Sequence, residues 1–250
     1  MNKTIKILAI GNSFSSDATR YLHEISEAGG SRVKVVNLFI GGCSLSTHYK
    51  NMNNDAKAYA LEFNGQSTGF FVSIREALQS HDWDYVTLQQ ASHFSPYYDT
   101  YMPYLKALSD YVKFHSPKAK QAFHRTWAYE SGSYRLCTEL GYETHSAMFS
   151  EIKTASEKAV SEVGFDLVVP SGELIEKLVL EGVGPVYRDT FHLSYGVGRY
   201  AVGALWYRLF TGQAVGGNNF NKFDEEICSE VLEKVKRLVD SAKIGKTYLH

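Results

Sequence analysis

Ser13 stands directly behind a short apolar run, Ile5–Ile10, in the segment Gly11-Asn12-Ser13-Phe14-Ser15. Far along the chain, Arg188-Asp189-Thr190-Phe191-His192-Leu193-Ser194 carries a carboxylate and an imidazole three residues apart. A serine hydroxyl becomes a useful nucleophile when a base takes its proton. That base needs an anion to fix its tautomer and to stabilise the imidazolium that forms. One D-x-x-H segment can supply both. Taken singly the residues are bland: a serine after a strand is a good helix N-cap, and Asp189 and His192 read as a cap and a surface histidine. In combination they describe acyl transfer, with Ser13 as nucleophile, His192 as base and Asp189 as its partner.

Such an array needs a frame that brings distant segments together. Apolar, β-branched runs at Ile5–Ile10, Val33–Phe39, Tyr85–Leu88, Lys120–Thr126 and Asp166–Pro170 read as five strands. Helical periodicity predicts helices near Asp17–Ala28, Gly69–Gln79, Tyr101–Phe114, Glu143–Val163, Gly196–Leu209 and Asp224–Ala242. Strands alternating with helices predict a five-stranded parallel sheet in a three-layer α/β/α sandwich. No repeat, low-complexity tract or linker breaks the pattern, so residues 1–250 are expected to form a single domain. In open parallel sheets, ligands bind beyond the carboxyl ends of the strands. Those ends carry Gly11-Asn12-Ser13, Gly41-Gly42-Cys43-Ser44, Gln89-Gln90-Ala91-Ser92, His124-Arg125-Thr126-Trp127 and Ser171-Gly172. Their glycine and amide groups could hold a tetrahedral oxyanion.

Ile10-Gly11-Asn12-Ser13-Phe14-Ser15 resembles the first block of the SGNH (GDSL-type) hydrolase superfamily, usually G-D-S, and Asp189-Thr190-Phe191-His192 resembles its last block, D-x-x-H. Gly41-Gly42 is similar to the block that supplies a backbone amide to the oxyanion hole. The resemblance spans about residues 5–210 and implies a flavodoxin-like fold and an esterase working through an acyl-enzyme. It also implies an oxyanion hole formed by the N–H of Ser13, the N–H of Gly42 (or Gly41) and a side-chain amide. Two departures stand out. Asn12 replaces the usual Asp, keeping a hydrogen-bonding side chain without the charge. The block after the third strand, usually G-x-N-D, reads Leu88-Gln89-Gln90-Ala91-Ser92. A glutamine amide can donate the same bond from one methylene further out. Likeness to a branch with G-N-S-F-S and L-Q motifs favours Gln89; Gln90 is the alternative, since neighbours on a strand end point opposite ways.

Several function classes fit poorly. Net charge is −1 and basic residues are scattered, so no nucleic-acid partner is expected. His81, His93, His115 and His124 lie in different loops without ligand spacing, so no metal is expected, and no phosphate loop or dinucleotide fingerprint points to a cofactor. Cys43, Cys137 and Cys228 read as buried free thiols. No apolar run is long enough to span a bilayer and the first residues lack a signal-peptide pattern, so the chain as written is expected in the cytoplasm, or secreted or periplasmic if a leader has been removed. The 17 tyrosines include several near strand ends, where Tyr97, Tyr98, Tyr101, Trp127, Tyr129 and Tyr134 could line a sugar cleft. Gln90, Trp127 and Tyr129 are the candidate substrate contacts. The expected substrate is a small-molecule or glycan ester with a short acyl group, such as O-acetyl on carbohydrate. A catalytically impaired glycan-binding module on the same fold is the alternative.

Overall fold

In the computed structural model, residues 3–244 are described. The central strand, β1 (Ile5–Gly11), sends Ile7 and Ala9 into one apolar core and Leu8 and Ile10 into another. Burial on both faces is the usual condition of a parallel strand. The remaining strands are β2 (Val33–Phe39), β3 (Tyr59–Phe63), β4 (Gln66–Val72), β5 (Tyr85–Leu88), β6 (Lys120–Arg125) and β7 (Leu167–Pro170). They lie in the order β4-β3-β2-β1-β5-β6-β7. The five expected strands are present and mutually parallel. The sheet has seven strands rather than five, because β3 and β4 add an antiparallel hairpin outside β2. Residues 69–72, expected at the start of a helix, belong to β4. Asn64 and Gly65 turn this hairpin with φ of 50° and 78°. An Asn-Gly pair suits such a turn because both central residues need positive φ.

The helices are α1 (Ser13–Thr19), α2 (Leu22–Ala28), α3 (Leu45–Asn53), α4 (Ile74–Gln79), α5 (Tyr104–His115), α6 (His145–Val163), α7 (Ser171–Leu180), α8 (Val197–Thr211) and α9 (Ser229–Ser241). Phe14, Leu22, Ile175, Leu205 and Val239 place α1, α2, α7, α8 and α9 on the face of Ile7 and Ala9. Leu45, Leu78 and Leu105 place α3, α4 and α5 on the other. Helix α6 serves both, with Met148 and Ile152 in the first core and Ala159 and Val163 in the second. The single helix expected over 17–28 is broken at Arg20-Tyr21, where the buried Tyr21 ring turns inward and its hydroxyl donates to the Tyr195 carbonyl at 2.5 Å. Cys43 is buried as expected, whereas Cys137 and Cys228 are exposed. No described helix is long and apolar enough to cross a membrane.

From β1 the chain moves to β2 on one side, then returns to β5 on the other. The ends of β1 and β5 therefore flank the point where strand order reverses, which is where open α/β sheets bind ligands. Ser13 opens α1 at this point. A short hairpin over residues 186–194 comes down beside it, closed by Arg188 N–H to His192 O at 3.0 Å and Ser194 N–H to Val186 O at 2.7 Å. Asp17, one helical turn after Ser13, fastens that hairpin to α1. Its buried carboxylate accepts from Arg188 Nη1 at 2.9 and 3.0 Å, from Leu193 N–H at 3.1 Å and from Arg199 Nε at 2.8 Å. Arg199 and Arg20 in turn share Asp224. Removing one member of a buried ion pair strands the charge left behind. Asp17→Asn is therefore expected to destabilise the fold by about 3 kcal/mol, read as a lower midpoint in denaturant unfolding. Asp82→Asn, whose exposed carboxylate pairs with Lys118 at 3.9 Å, should stay within about 0.5 kcal/mol of the parent.

Candidate active site

Asn12, not Ser13, caps α1. Its Oδ1 accepts the Phe14 N–H at 2.9 Å, and its own N–H donates to Ser15 Oγ at 3.1 Å. Ser13 is thus the first residue inside the helix, with its hydroxyl free to face outward. A close fit holds this turn: a Cβ on Gly11 would lie 2.4 Å from Ser15 Oγ and 2.9 Å from the Gln89 side chain. Only glycine fits there.

The structure brings Ser13, His192 and Asp189 together across most of the chain. Ser13 Oγ lies 2.8 Å from His192 Nε2, and His192 Nδ1 lies 2.7 Å from Asp189 Oδ2. With a proton on Nδ1 donated to the carboxylate, Nε2 is left as the acceptor for the serine hydroxyl. The other carboxylate oxygen, Oδ1, accepts the His192 backbone N–H at 2.8 Å. The three-residue spacing lets one side chain fold the loop and orient the ring. Partial burial pushes the Asp189 carboxyl up, but the hydrogen bonds and charge of His192 outweigh it and hold the group below its ordinary value. It is therefore ionised at neutral pH.

The intervening residues are held firmly. Thr190 has φ of 76°, a left-handed conformation unusual for a β-branched residue. Its carbonyl accepts the Glu130 N–H at 2.7 Å, and the Phe191 carbonyl accepts the Trp127 indole N–H at 2.8 Å. These bonds help to offset the backbone strain. Aromatic rings wall the imidazole: Phe191 lies 4.0 Å away between centroids, and Phe14 meets it edge-on at 5.9 Å while stacking on Trp127 at 4.2 Å.

The glutamine block does something other than expected. Gln89 is buried, its amide donating to Asn12 Oδ1 at 2.8 Å and its carbonyl lying 2.9 Å from His124 Nδ1. One of its two amide N–H groups is therefore engaged by Asn12. Gln90 is also buried; its amide donates to Thr100, and its carbonyl accepts from the N–H groups of Leu45 and Ala91. Trp127 and Tyr129, expected to meet substrate, are 0% and 2% exposed. The Tyr129 hydroxyl pairs with Ser92 at 2.8 Å. These side chains pack the floor of the site and present no face to a ligand. The fully buried Tyr101 belongs to the core as well, and Tyr97 and Tyr134 stay exposed.

Asn12 is where the departure from G-D-S acquires a physical reason. Its Nδ2 donates to the Cys43 carbonyl at 3.1 Å while its Oδ1 accepts from Phe14 N–H and Gln89. An ionised aspartate accepts hydrogen bonds only, so it could not hold the Cys43 carbonyl. Through this bond, the turn with Gly41 and Gly42 is tied to the helix bearing Ser13. Gly42 is exposed with φ of 63°, which keeps the turn glycine-dependent. Behind Gln89, burial pushes the His124 imidazole down to about 3. His124 is thus a neutral link, its Nε2 3.0 Å from Ser171 Oγ, which also receives the Trp206 indole N–H. Sequence reasoning missed Asp17, His124 and Ser171 as supports. His124 and Ser171 carried only the signal of standing at strand ends, and Asp17 that of lying four residues after Ser13 on one helix face. Among the described residues, no group of three or more His, Cys, Asp or Glu is arranged to hold a metal ion.

With this geometry in hand, known proteins can be compared. No curated protein sequence matches the chain. A crystal structure of a DUF4886 family protein from Bacteroides uniformis is 34% identical, covering 95% of this chain and 94% of that one, with a TM-score of 0.89. A proposed SGNH hydrolase from Slackia heliotrinireducens is 22% identical, covering 80% of this chain and 96% of its own, with a TM-score of 0.58. A proposed GDSL-like lipase from Parabacteroides merdae is 16% identical, covering 85% and 97%, with a TM-score of 0.54. These two share the fold, which is that of the SGNH hydrolases. The family described as a domain of unknown function, DUF4886, matches residues 6–237, and with the Bacteroides uniformis relative this shows that the chain belongs to the DUF4886 family.

Proposed function

We propose that the protein is a serine esterase in which Ser13 is the nucleophile, His192 the general base and acid, and Asp189 the partner that orients the imidazole. One observation carries the reading: the unbroken run from Ser13 Oγ to His192 Nε2 at 2.8 Å and from His192 Nδ1 to Asp189 at 2.7 Å. His192 accepts the serine proton as Oγ attacks an ester carbonyl, then returns it to the departing alcohol. Water hydrolyses the acyl-enzyme with the same groups. The Ser13 N–H, at the first turn of a helix, and the Gly42 N–H, on the turn that Asn12 holds, are the proposed oxyanion donors. Asn12 takes one Gln89 N–H and His124 meets the Gln89 carbonyl, so backbone amides are proposed as the main donors of the hole.

The acyl group is proposed to be short, in keeping with acetyl esters on carbohydrate or similar alcohols. Phe14 and Phe191 press close around His192. The binding-module alternative loses part of its support, since three of its aromatic residues, Tyr101, Trp127 and Tyr129, are buried and Asn12 has a structural role that a working site would need.

Ser13→Ala is expected to lower kcat for p-nitrophenyl acetate by at least about 10³-fold, with the melting temperature unchanged, because a small side chain is lost at the surface end of α1. Turnover equal to the parent would refute the assignment. Asp189→Asn keeps an acceptor for the loop but favours the wrong imidazole tautomer, so kcat should fall by about 10³ to 10⁴ with KM little affected. The depressed Asp189 value also sets a sign. Its contribution to loop stability is full above the ordinary carboxylate range near pH 4 and is lost as pH falls through its lower folded value. Acid unfolding followed by circular dichroism should show this contribution absent in Asp189→Asn.

A further inference from the structure

Arg135 and the active-site imidazole both lie against Phe191, and the Arg135 guanidinium has little else to do. Its carbon sits 4.2 Å from the centroid of the Phe191 ring, whose own centroid is 4.0 Å from that of His192. Its ion-pair partner among the described residues is Glu139, 3.7 Å from Nε, beyond hydrogen-bonding reach, and both side chains are about half exposed. The segment beneath it is anchored. Leu136 is fully buried, the Cys137 N–H donates to Ser133 O at 2.9 Å, and the Glu130 N–H holds the Thr190 carbonyl of the catalytic hairpin. Nearby, burial and, after it, the charge of Arg135 hold the His93 imidazole below its ordinary value. A neutral His93 leaves Arg135 as the cation of this rim.

We infer that Arg135 is a specificity residue that binds a carboxylate on the alcohol part of the ester, so that the preferred substrate is an acyl ester of an acidic alcohol such as a sugar acid. The side of the bond follows from the chemistry. His192 Nε2 must deliver its proton to the leaving oxygen, so the alcohol lies beside the imidazole, where Phe191 and the Arg135 held against it are neighbouring side chains. A guanidinium with unengaged donors matches a carboxylate in two parallel hydrogen bonds. The cation–π contact with Phe191 restrains it, which reduces the side-chain freedom lost on binding.

The inference rests on the esterase reading for turnover, and a binding measurement separates the two. The probes are 4-acetoxybenzoate, whose leaving alcohol carries a carboxylate, and neutral 4-acetoxybenzamide. The parent enzyme should favour the anion in kcat/KM by about five- to tenfold at low salt, and the ratio should shrink toward one in 0.5 M NaCl as screening grows. In Arg135→Gln the ratio should fall to one, and Arg135→Lys should restore part of it. A ratio unchanged by Arg135→Gln, or already one in the parent, would overturn the inference even while both esters are hydrolysed. If neither ester is turned over, the esterase reading fails, and NMR titration with 4-hydroxybenzoate decides the role of Arg135. Saturable binding to the parent that weakens at least fivefold in Arg135→Gln supports an anion site. Equal affinity, or no binding, overturns it.

Discussion

The Asp17 carboxylate is buried one turn below Ser13 and collects Arg188, Arg199 and the Leu193 N–H. Those groups belong to the hairpin that carries Asp189 and His192, or to the start of α8 behind it. Burying a carboxylate is costly unless it is paired and hydrogen-bonded, so few arrangements of these segments satisfy it. Because Ser13 and Asp17 share one face of α1, the geometry that satisfies the carboxylate also brings the imidazole within reach of the hydroxyl. The 2.8 Å contact between Ser13 and His192 is thus supported from beneath by charge.

A second, uncharged network fixes the opposite side of the nucleophile. Asn12 is its hub, joining the α1 cap, the Cys43 carbonyl and Gln89, and Gln89 passes the connection to His124 and Ser171. Each member is buried, so an unfilled hydrogen bond would be expensive. The asparagine at position 12 therefore belongs with the glutamine block: the amide at one position supplies the donor and acceptor pattern that the amide at the other requires. The resulting site carries one fewer negative charge beside the proposed nucleophile, which leaves Asp189 as the anion nearest the imidazole.

The aromatic surplus is mainly architectural. Phe14, Trp127 and Tyr129 fill the layer below the site and Tyr101 the core on the other face, where large flat side chains bury much area and fix nearby loops by stacking and by single N–H or O–H bonds. Phe191 is the exception, in contact with both the imidazole and Arg135. It transmits the shape of the hairpin to the rim where the leaving group is proposed to lie.

The five parallel strands were legible because each is a short apolar run between turn residues, and burial on both faces leaves that pattern in any sequence. The β3–β4 hairpin was harder to read, since an edge hairpin exposed on much of its surface has no continuous apolar run; the Asn64-Gly65 pair was its clearest trace. The Ser13, Asp189 and His192 positions were visible from residue type, order and placement at strand ends. Which way the side chains of Gln89, Gln90, Trp127 and Tyr129 point was not, because polar and aromatic residues can serve a floor or a cleft equally well. That choice depends on what stands opposite each side chain. For Gln89 it is Asn12 and His124, which lie 77 and 35 residues away in the chain. Local sequence determined the chemistry available and the strands that end beside it. Only the tertiary structure decided which of those groups meet, because a buried polar side chain takes its role from the distant partner that satisfies its hydrogen bonds.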